Sequence, residues 1–258
     1  MPRGELLVDG KWQIDVVVDG AGPAIVLLPS SQRDSLDFDS LAAALAALEF
    51  KVLRPQPRGM LRSCPPTPGF DLNDLAHDVA RVIAELGDGR AIVAGHAFGH
   101  YVARVADLNH PQWIRGVVVL AGAARVFPVG LTQQLDIAAD AMRPTLERIA
   151  ALRHAFFAPG NDSSGWLHGW HPHLRDVYRA AATTPGKEAW WPVSHSPLLD
   201  LQAAHDPWRP PATRDELRDA LPGRVTISVI EQASHALPVE QPDAVAEVIA
   251  AWARQLPP

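Results

Sequence analysis

A single cysteine, Cys64, leaves no partner for an internal disulfide, so a reducing cytoplasm is the expected location. Positive charge is not in excess either. The formal net charge of -6 argues against a nucleic-acid partner, which would want a basic face. No apolar run approaches the length of a membrane span, so no membrane partner is expected. The opening MPRGELLVDGKW is too charged and too interrupted for a signal peptide. Internal repeats are absent, and the 24 prolines are spread over loops and form no low-complexity tract. What is there is an ordinary globular composition, 47% hydrophobic and 20% charged over 258 residues. That length fits two small domains or one large α/β domain with an insertion.

The stretch Ala91 to Val105, AIVAGHAFGHYVARV, organises the reading. Ala91 to Ala94 is a short apolar run, suited to a strand buried on both faces. Gly95-His96-Ala97-Phe98-Gly99 follows, and His100 to Asn109 reads as a helix with Val102, Val105 and Ala106 on one side. The two glycines leave room where strand and helix crowd together and let residue 97 take a strained turn.

Around this stretch strands and helices alternate. Glu5 to Val8 and Gln13 to Val18 read as a hairpin about Asp9-Gly10, and Ala24 to Leu28 as a buried strand. A helix Leu41 to Glu49, capped by Asp39 or Ser40, precedes a strand at Lys51 to Leu53. The helix Leu72 to Leu86 presents Leu75, Val79, Val82 and Leu86 on one face and stops at Gly87. Gly116 to Leu120 is the next strand. From about Val126 to Ser196 the alternation ceases, leaving helices (Leu131 to Ala141, Thr145 to Phe156) and loops rich in Gly, Pro, His and Trp. It resumes with strands Leu198 to Ala203 and Val225 to Ile230, a helix Arg214 to Ala220 between them, and a last helix from Pro242. Such alternation implies a mostly parallel sheet with sites at the carboxyl ends of its strands.

Three motifs then resemble those of the α/β-hydrolase superfamily. Gly95-His96-Ala97-Phe98-Gly99 resembles the G-x-S-x-G nucleophile elbow, with alanine in the serine's place. Ala204-His205-Asp206-Pro207-Trp208-Arg209-Pro210 resembles the acid loop, and Ala233-Ser234-His235 through Glu240-Gln241-Pro242 the histidine loop. Pro55-Gln56-Pro57-Arg58-Gly59 is similar to the family's P-D-x-R-G turn, with Gln56 for the aspartate and Ser63 following. The order elbow, acid, histidine is the family order. The resemblance implies an α/β-hydrolase fold, a mostly parallel central sheet with helices on both faces, and an inserted helical cap. Residues 1–125 and 197–258 would form the core domain and 126–196 the cap.

It also implies a site. His235 would take the proton and Asp206 would fix its tautomer and stabilise its charged form. Backbone N–H groups of Phe98 and Ser31 would form the oxyanion hole, with Leu28-Pro29-Ser30-Ser31 standing where the family has L-H-G-x. Alanine-bearing elbows occur in this superfamily. Ala97 leaves three readings open: an enzyme whose His–Asp pair acts on water or on substrate directly, a serine hydrolase carrying an inactivating Ser-to-Ala change, or a non-catalytic small-molecule binder. The first leads, because Gln56 and the Pro29-Ser30 pair also leave the common pattern. The expected activity is hydrolysis of a small ester, lactone, amide or related carbonyl compound. Cofactor-independent lyase, isomerase or oxygenase chemistry is the alternative enzyme reading.

The substrate is expected to be small and apolar or aromatic, with Ser30, His96 and the tryptophans Trp166, Trp170, Trp190 and Trp191 as candidate contacts. His96 is the elbow's preceding histidine, read chiefly as packing under the turn. His100 reads equally well as a helix-surface residue. Arg58 and Arg125 could meet an acidic substrate, with surface or ion-pair roles preferred. His168, His171 and His173 have neither a helical ligand face, broken by Pro172, nor a carboxylate or cysteine cluster, so no metal and no cofactor is expected. Cys64 reads as an idle thiol. A homodimer is left open.

Overall fold

The computed structural model describes residues 3–257. β1 (Arg3–Asp9) and β2 (Trp12–Asp19) form the expected antiparallel hairpin, with Gly10 at positive φ in the turn. β3 (Ala24–Leu28), α1 (Asp39–Ala47), β4 (Lys51–Pro55), α2 (Leu72–Leu86), β5 (Ala91–His96), α3 (Gly99–Asn109) and β6 (Ile114–Leu120) follow in alternation. Four helices come next: α4 (Leu131–Ala139), α5 (Thr145–Ala155), α6 (Arg175–Ala181) and α7 (Lys187–Trp190). The chain ends with β7 (Leu198–Ala203), α8 (Glu216–Ala220), β8 (Val225–Ile230), α9 (Leu237–Glu240) and α10 (Pro242–Ala253).

The eight strands form one sheet in the order β1-β2-β4-β3-β5-β6-β7-β8. β2 is antiparallel to β1 and β4, and every pairing from β4 through β8 is parallel. Every residue of β3, β5 and β7 is buried, as strands covered on both faces require; β3 is apolar throughout, whereas β7 carries Asp200, which accepts from Gln202 and Arg209. On one face α2 and α3 bring Leu75, Val79, Val82, Val102 and Val105 against the sheet. On the other, α1 and α10 bring Leu41, Leu45, Val245 and Ile249.

Two helix starts differ from expectation for the same reason. Asp39 and Ser40 lie inside α1 and do not cap it, because a 3-10 turn at Ser35–Phe38 runs straight into the helix. The cap has moved upstream, where Asp34 accepts the Leu36 N–H. α8 begins at Glu216, later than the expected Arg214, because Pro211–Thr213 takes a 3-10 turn first. α2 starts as its sequence indicates, with a capping box between Asp71 and Asp74.

Between β6 and β7 the described residues contain helices and loops and no strand of the sheet. The first half of this insertion makes its own apolar cluster, in which Leu131, Leu152, Phe156 and Trp166 meet Trp208 and Ala236 from the core loops. In the second half, Leu174, Tyr178, Trp190 and Trp191 merge with the cluster under α2 and α3. A buried arginine seats that half: Arg104 on α3 donates to the carbonyls of Trp190, Trp191 and Val193 at 2.7–3.1 Å.

Candidate active site

The turn from β5 into α3 is as tight as its glycines indicate. A Cβ on Gly95 would lie 2.2 Å from the Gly99 carbonyl carbon, and one on Gly99 would lie 2.3 Å from the Leu28 oxygen. Only glycine permits this approach of strand, turn and helix. Between them Ala97 sits at φ 47°, a left-handed conformation that costs a Cβ-bearing residue of order 1 kcal/mol or more. Its N–H donates to Leu120 O at 3.1 Å, which pins the turn to the end of β6. Among the described residues, the next N–H, that of Phe98, and the Ser31 N–H in the loop after β3 donate to no protein acceptor.

The loop carrying Ser31 is clamped by the insertion. The His171 N–H donates to Gln32 O at 2.9 Å, and His171 Nε2 lies 3.0 Å from Asp34 Oδ2. The Arg33 guanidinium pairs with Asp37 and lies 4.6 and 4.7 Å from the ring centres of Trp166 and Trp170.

Asp206 lies after β7 and His235 after β8, both buried. His235 Nδ1–H donates to Asp206 Oδ2 at 2.9 Å, and Asp206 Oδ1 accepts the Trp208 N–H at 2.8 Å. With Nδ1 engaged, Nε2 is the nitrogen left for the cavity. The loop is braced from several sides. His96 Nε2–H donates to the His235 carbonyl at 2.6 Å, and burial pushes the His96 pKa down to about 3, so its ring is neutral at ordinary pH. Glu240 accepts the Ser234 N–H and the Ala158 N–H, each at 2.7 Å. The Trp208 ring stacks on His235 at 5.0 Å and 24°, held by its own Nε1–H donating to Ala155 O at 2.7 Å.

These groups share one cavity of about 150 Å³, on whose wall lie Ser30, Ser31, Ala97, Phe98, Trp208 and His235. The remaining expected contacts lie elsewhere. His96 is sealed beneath the turn and braces the His235 loop. Trp166 packs against Phe156 and Phe157, and Trp170 against Trp166 and Arg33. Trp190 and Trp191 pack on His100 and Arg104. None of the four insertion tryptophans is on the cavity wall. The tryptophan that is, Trp208, stands two residues after Asp206 in the acid loop, and that short spacing was the available signal. His100 is a core residue and not a helix-surface one, its two ring nitrogens unpartnered among the described residues. Burial holds its pKa well below the usual histidine range.

The arginines are also redistributed. Arg58 is locked in a two-pronged pair with Asp78 at 2.7 and 2.8 Å, and the Arg125 backbone is tied to Glu216 and Lys187. Neither lies on the cavity wall. Arg175 and Arg179 do, and sequence reading had passed over both. Gln56 offers its side-chain oxygen to the Ser35 N–H at 3.0 Å, and Ser63 bonds the Gln56 carbonyl at 2.8 Å, so this turn braces the loop before α1. Cys64 is a free, half-buried thiol.

Comparison with known proteins agrees with the fold. The alpha/beta hydrolase family model matches residues 25–248. Over 111 residues the chain is 30% identical to the 2-(acetamidomethylene)succinate hydrolase of Mesorhizobium japonicum, a match covering 43% of this chain and 40% of that protein. A soluble epoxide hydrolase of Corynebacterium sp. is 31% identical over 157 residues, covering 61% of this chain and 50% of that one. The chain thus matches half the length or less of these curated relatives. Among solved structures, the esterase from Exiguobacterium antarcticum superposes with a TM-score of 0.82 at 18% identity, over 98% of this chain and 100% of that one. The strand order, the helices on both faces and a family match running from β3 into α10 have one reading: the chain belongs to the alpha/beta hydrolase family.

Proposed function

We propose that this chain hydrolyses a small ester, lactone, amide or related carbonyl compound by direct attack of water. The observation that carries the reading is His235, held by Asp206 behind it, on the wall of the same cavity as Ala97 and as Phe98 and Ser31 with their free N–H groups. Ala97 is the β5–α3 residue that the elbow pattern assigns to the nucleophile, and it keeps that turn's strained backbone without a hydroxyl. The strain then has a use that needs no side chain at 97: it aims the Phe98 N–H into the cavity.

In this mechanism His235 Nε2 takes a proton from water as the water oxygen bonds to the carbonyl carbon. Asp206 stabilises the resulting imidazolium and holds its tautomer. The carbonyl oxygen, now an oxyanion, accepts hydrogen bonds from Phe98 and Ser31. The intermediate collapses as His235 returns its proton to the leaving oxygen or nitrogen, and the acid and the alcohol or amine depart. The methyl group of Ala97 leaves the attacking water its place. The hydrolase named for the acetamidomethylene succinate in Mesorhizobium supports a carbonyl substrate by similarity over part of the chain.

The test is turnover of an ester, lactone and amide panel in ¹⁸O-water. One labelled oxygen is expected in the acid product, with no pre-steady-state burst and no covalent adduct. His235→Gln should abolish turnover. Product without label would place the chemistry with lyases or isomerases, and tight binding without product would make the chain a binder.

A further inference from the structure

Resting on that reading of the cavity, we infer that the substrate carries a carboxylate, which Arg175 and Arg179 hold at the mouth of the site. Arg175, Tyr178, Arg179 and Ala182 all lie on the cavity wall. Their spacing, i, i+3, i+4 and i+7, is one face of a helix, so α6 and the residue after it turn a single stripe toward the site. That stripe carries two guanidinium groups. Among the described residues no aspartate or glutamate lines the cavity. Asp136 and Asp176 offset the formal charge of the pair from outside the cavity, so what its wall offers an anion is guanidinium N–H donors with no carboxylate beside them.

Each arginine is anchored from outside and has donors to spare. Arg179 Nη2 donates to Asp136 Oδ1 on α4 at 2.7 Å, and Arg175 Nε donates to Asp176 Oδ1 at 3.0 Å. Arg175 Nη1 lies 3.9 Å from the same Asp136 oxygen. Nε and Nη1 of Arg179 and Nη2 of Arg175 have no protein partner among the described residues. Asp136 thus ties the two arginines to α4 while leaving N–H donors free on each guanidinium, one arginine for each oxygen of a carboxylate. The rest of the wall is more apolar than polar, with Phe98, Tyr101, Phe127, Leu135 and Trp208 outnumbering the serines, Gln32 and Thr132. A compound with an apolar middle, a scissile carbonyl at His235 and an acid at the arginines matches these surfaces in order.

The experiment compares a mono-p-nitrophenyl ester of glutarate with its neutral methyl diester. The readout is the ratio of their kcat/KM values. The wild type should prefer the acid, and Arg179→Gln should lower the ratio about tenfold, the size of one charge-assisted hydrogen bond discounted for solvent exposure. Arg175→Gln together with Arg179→Gln should remove the preference, and added salt should erode it in the wild type. Arg179→Lys, which keeps the charge and loses the planar guanidinium with its several donors, should recover part of it, and with the salt series it carries the test if the double variant fails to fold. Binding is read separately by calorimetric titration of glutarate into the His235→Gln variant, with inorganic phosphate as competitor. Glutarate binding that weakens on loss of the arginines, without ester turnover in any form, would sink the hydrolytic reading and keep the carboxylate site. Turnover with a ratio that none of the arginine changes moves would overturn the site and keep hydrolysis. Phosphate binding more tightly than glutarate would overturn the carboxylate assignment.

Discussion

Replacing Ala97 with serine places a hydroxyl at the apex of the β5–α3 turn, on the same cavity wall as His235. The backbone there already holds a Cβ-bearing residue at φ 47°, so serine adds no new strain, and stability should move by no more than about 0.5 kcal/mol. The effect falls on the contents of the cavity. Its volume of about 150 Å³ leaves room for a small substrate and a water, which needs roughly 10–15 Å³ of such space. A serine oxygen takes most of the place that water needs beside His235. General-base catalysis is worth about 10²–10⁴ in rate, so direct hydrolysis should fall about a hundredfold. In its place the serine should acylate, giving a stoichiometric burst and a mass increase equal to the acyl group. The assay is kcat/KM for both forms on a matched ester panel, with intact-mass spectrometry and organophosphate labelling. A serine form that turns over several orders of magnitude faster and labels with organophosphate would refute the reasoning, making Ala97 an inactivating change in a serine hydrolase.

Trp190→Ala should cost about 3–5 kcal/mol of stability, because the side chain is fully buried, while KM measured below both melting midpoints stays unchanged. A raised KM would return that tryptophan to the site. Trp208→Phe keeps a ring on His235 but removes the bond to Ala155 O, so kcat should fall with KM little changed and stability should drop by about 1 kcal/mol. An equal rise in KM would make Trp208 a substrate contact rather than a positioning residue. Gly99→Ala drives a Cβ into Leu28 O and should destabilise by about 3 kcal/mol while displacing the Ser31 loop, so melting midpoint and turnover should fall together. His96 and His100 stay neutral when buried, whereas in the unfolded chain each takes up a proton below about pH 6.5. Acid therefore favours the unfolded state, and each histidine should steepen the loss of stability below that pH by about 1.4 kcal/mol per pH unit. Denaturant unfolding of the wild type and of His100→Phe between about pH 7 and about pH 5 reads this as a difference in slope, and parallel profiles would refute it.

What could be read along the chain was whatever local chemistry decides. Runs such as Ala24 to Leu28 and Ala91 to Ala94 are apolar without alternation, and only a strand covered on both faces buries them. The 3.6-residue stripe of Leu75, Val79, Val82 and Leu86 made α2 equally plain. The Gly95–Gly99 spacing foretold a turn with no room for a side chain at either end, and the order of turn, acid and histidine placed Asp206 and His235 after successive strands. Their meeting at 2.9 Å follows from the parallel sheet, which brings the carboxyl ends of neighbouring strands together. Tertiary packing decided the rest. Trp166, Trp170, Trp190 and Trp191 are as apolar as Trp208, and nothing local distinguishes a ring in a core from one in a cavity. Arg104 decides it for Trp190 and Trp191, gripping their carbonyls from a helix more than 80 residues earlier in the chain. Arg175 and Arg179 stand at helical spacing in the sequence, but a seven-residue helix packs as its neighbours allow. Which side of α6 faces the cavity is set by α4 across the mouth and by Tyr178, whose hydroxyl bonds Arg58 O. Contacts at such separations leave no period or motif in the chain, because they depend on how whole elements come to rest against one another.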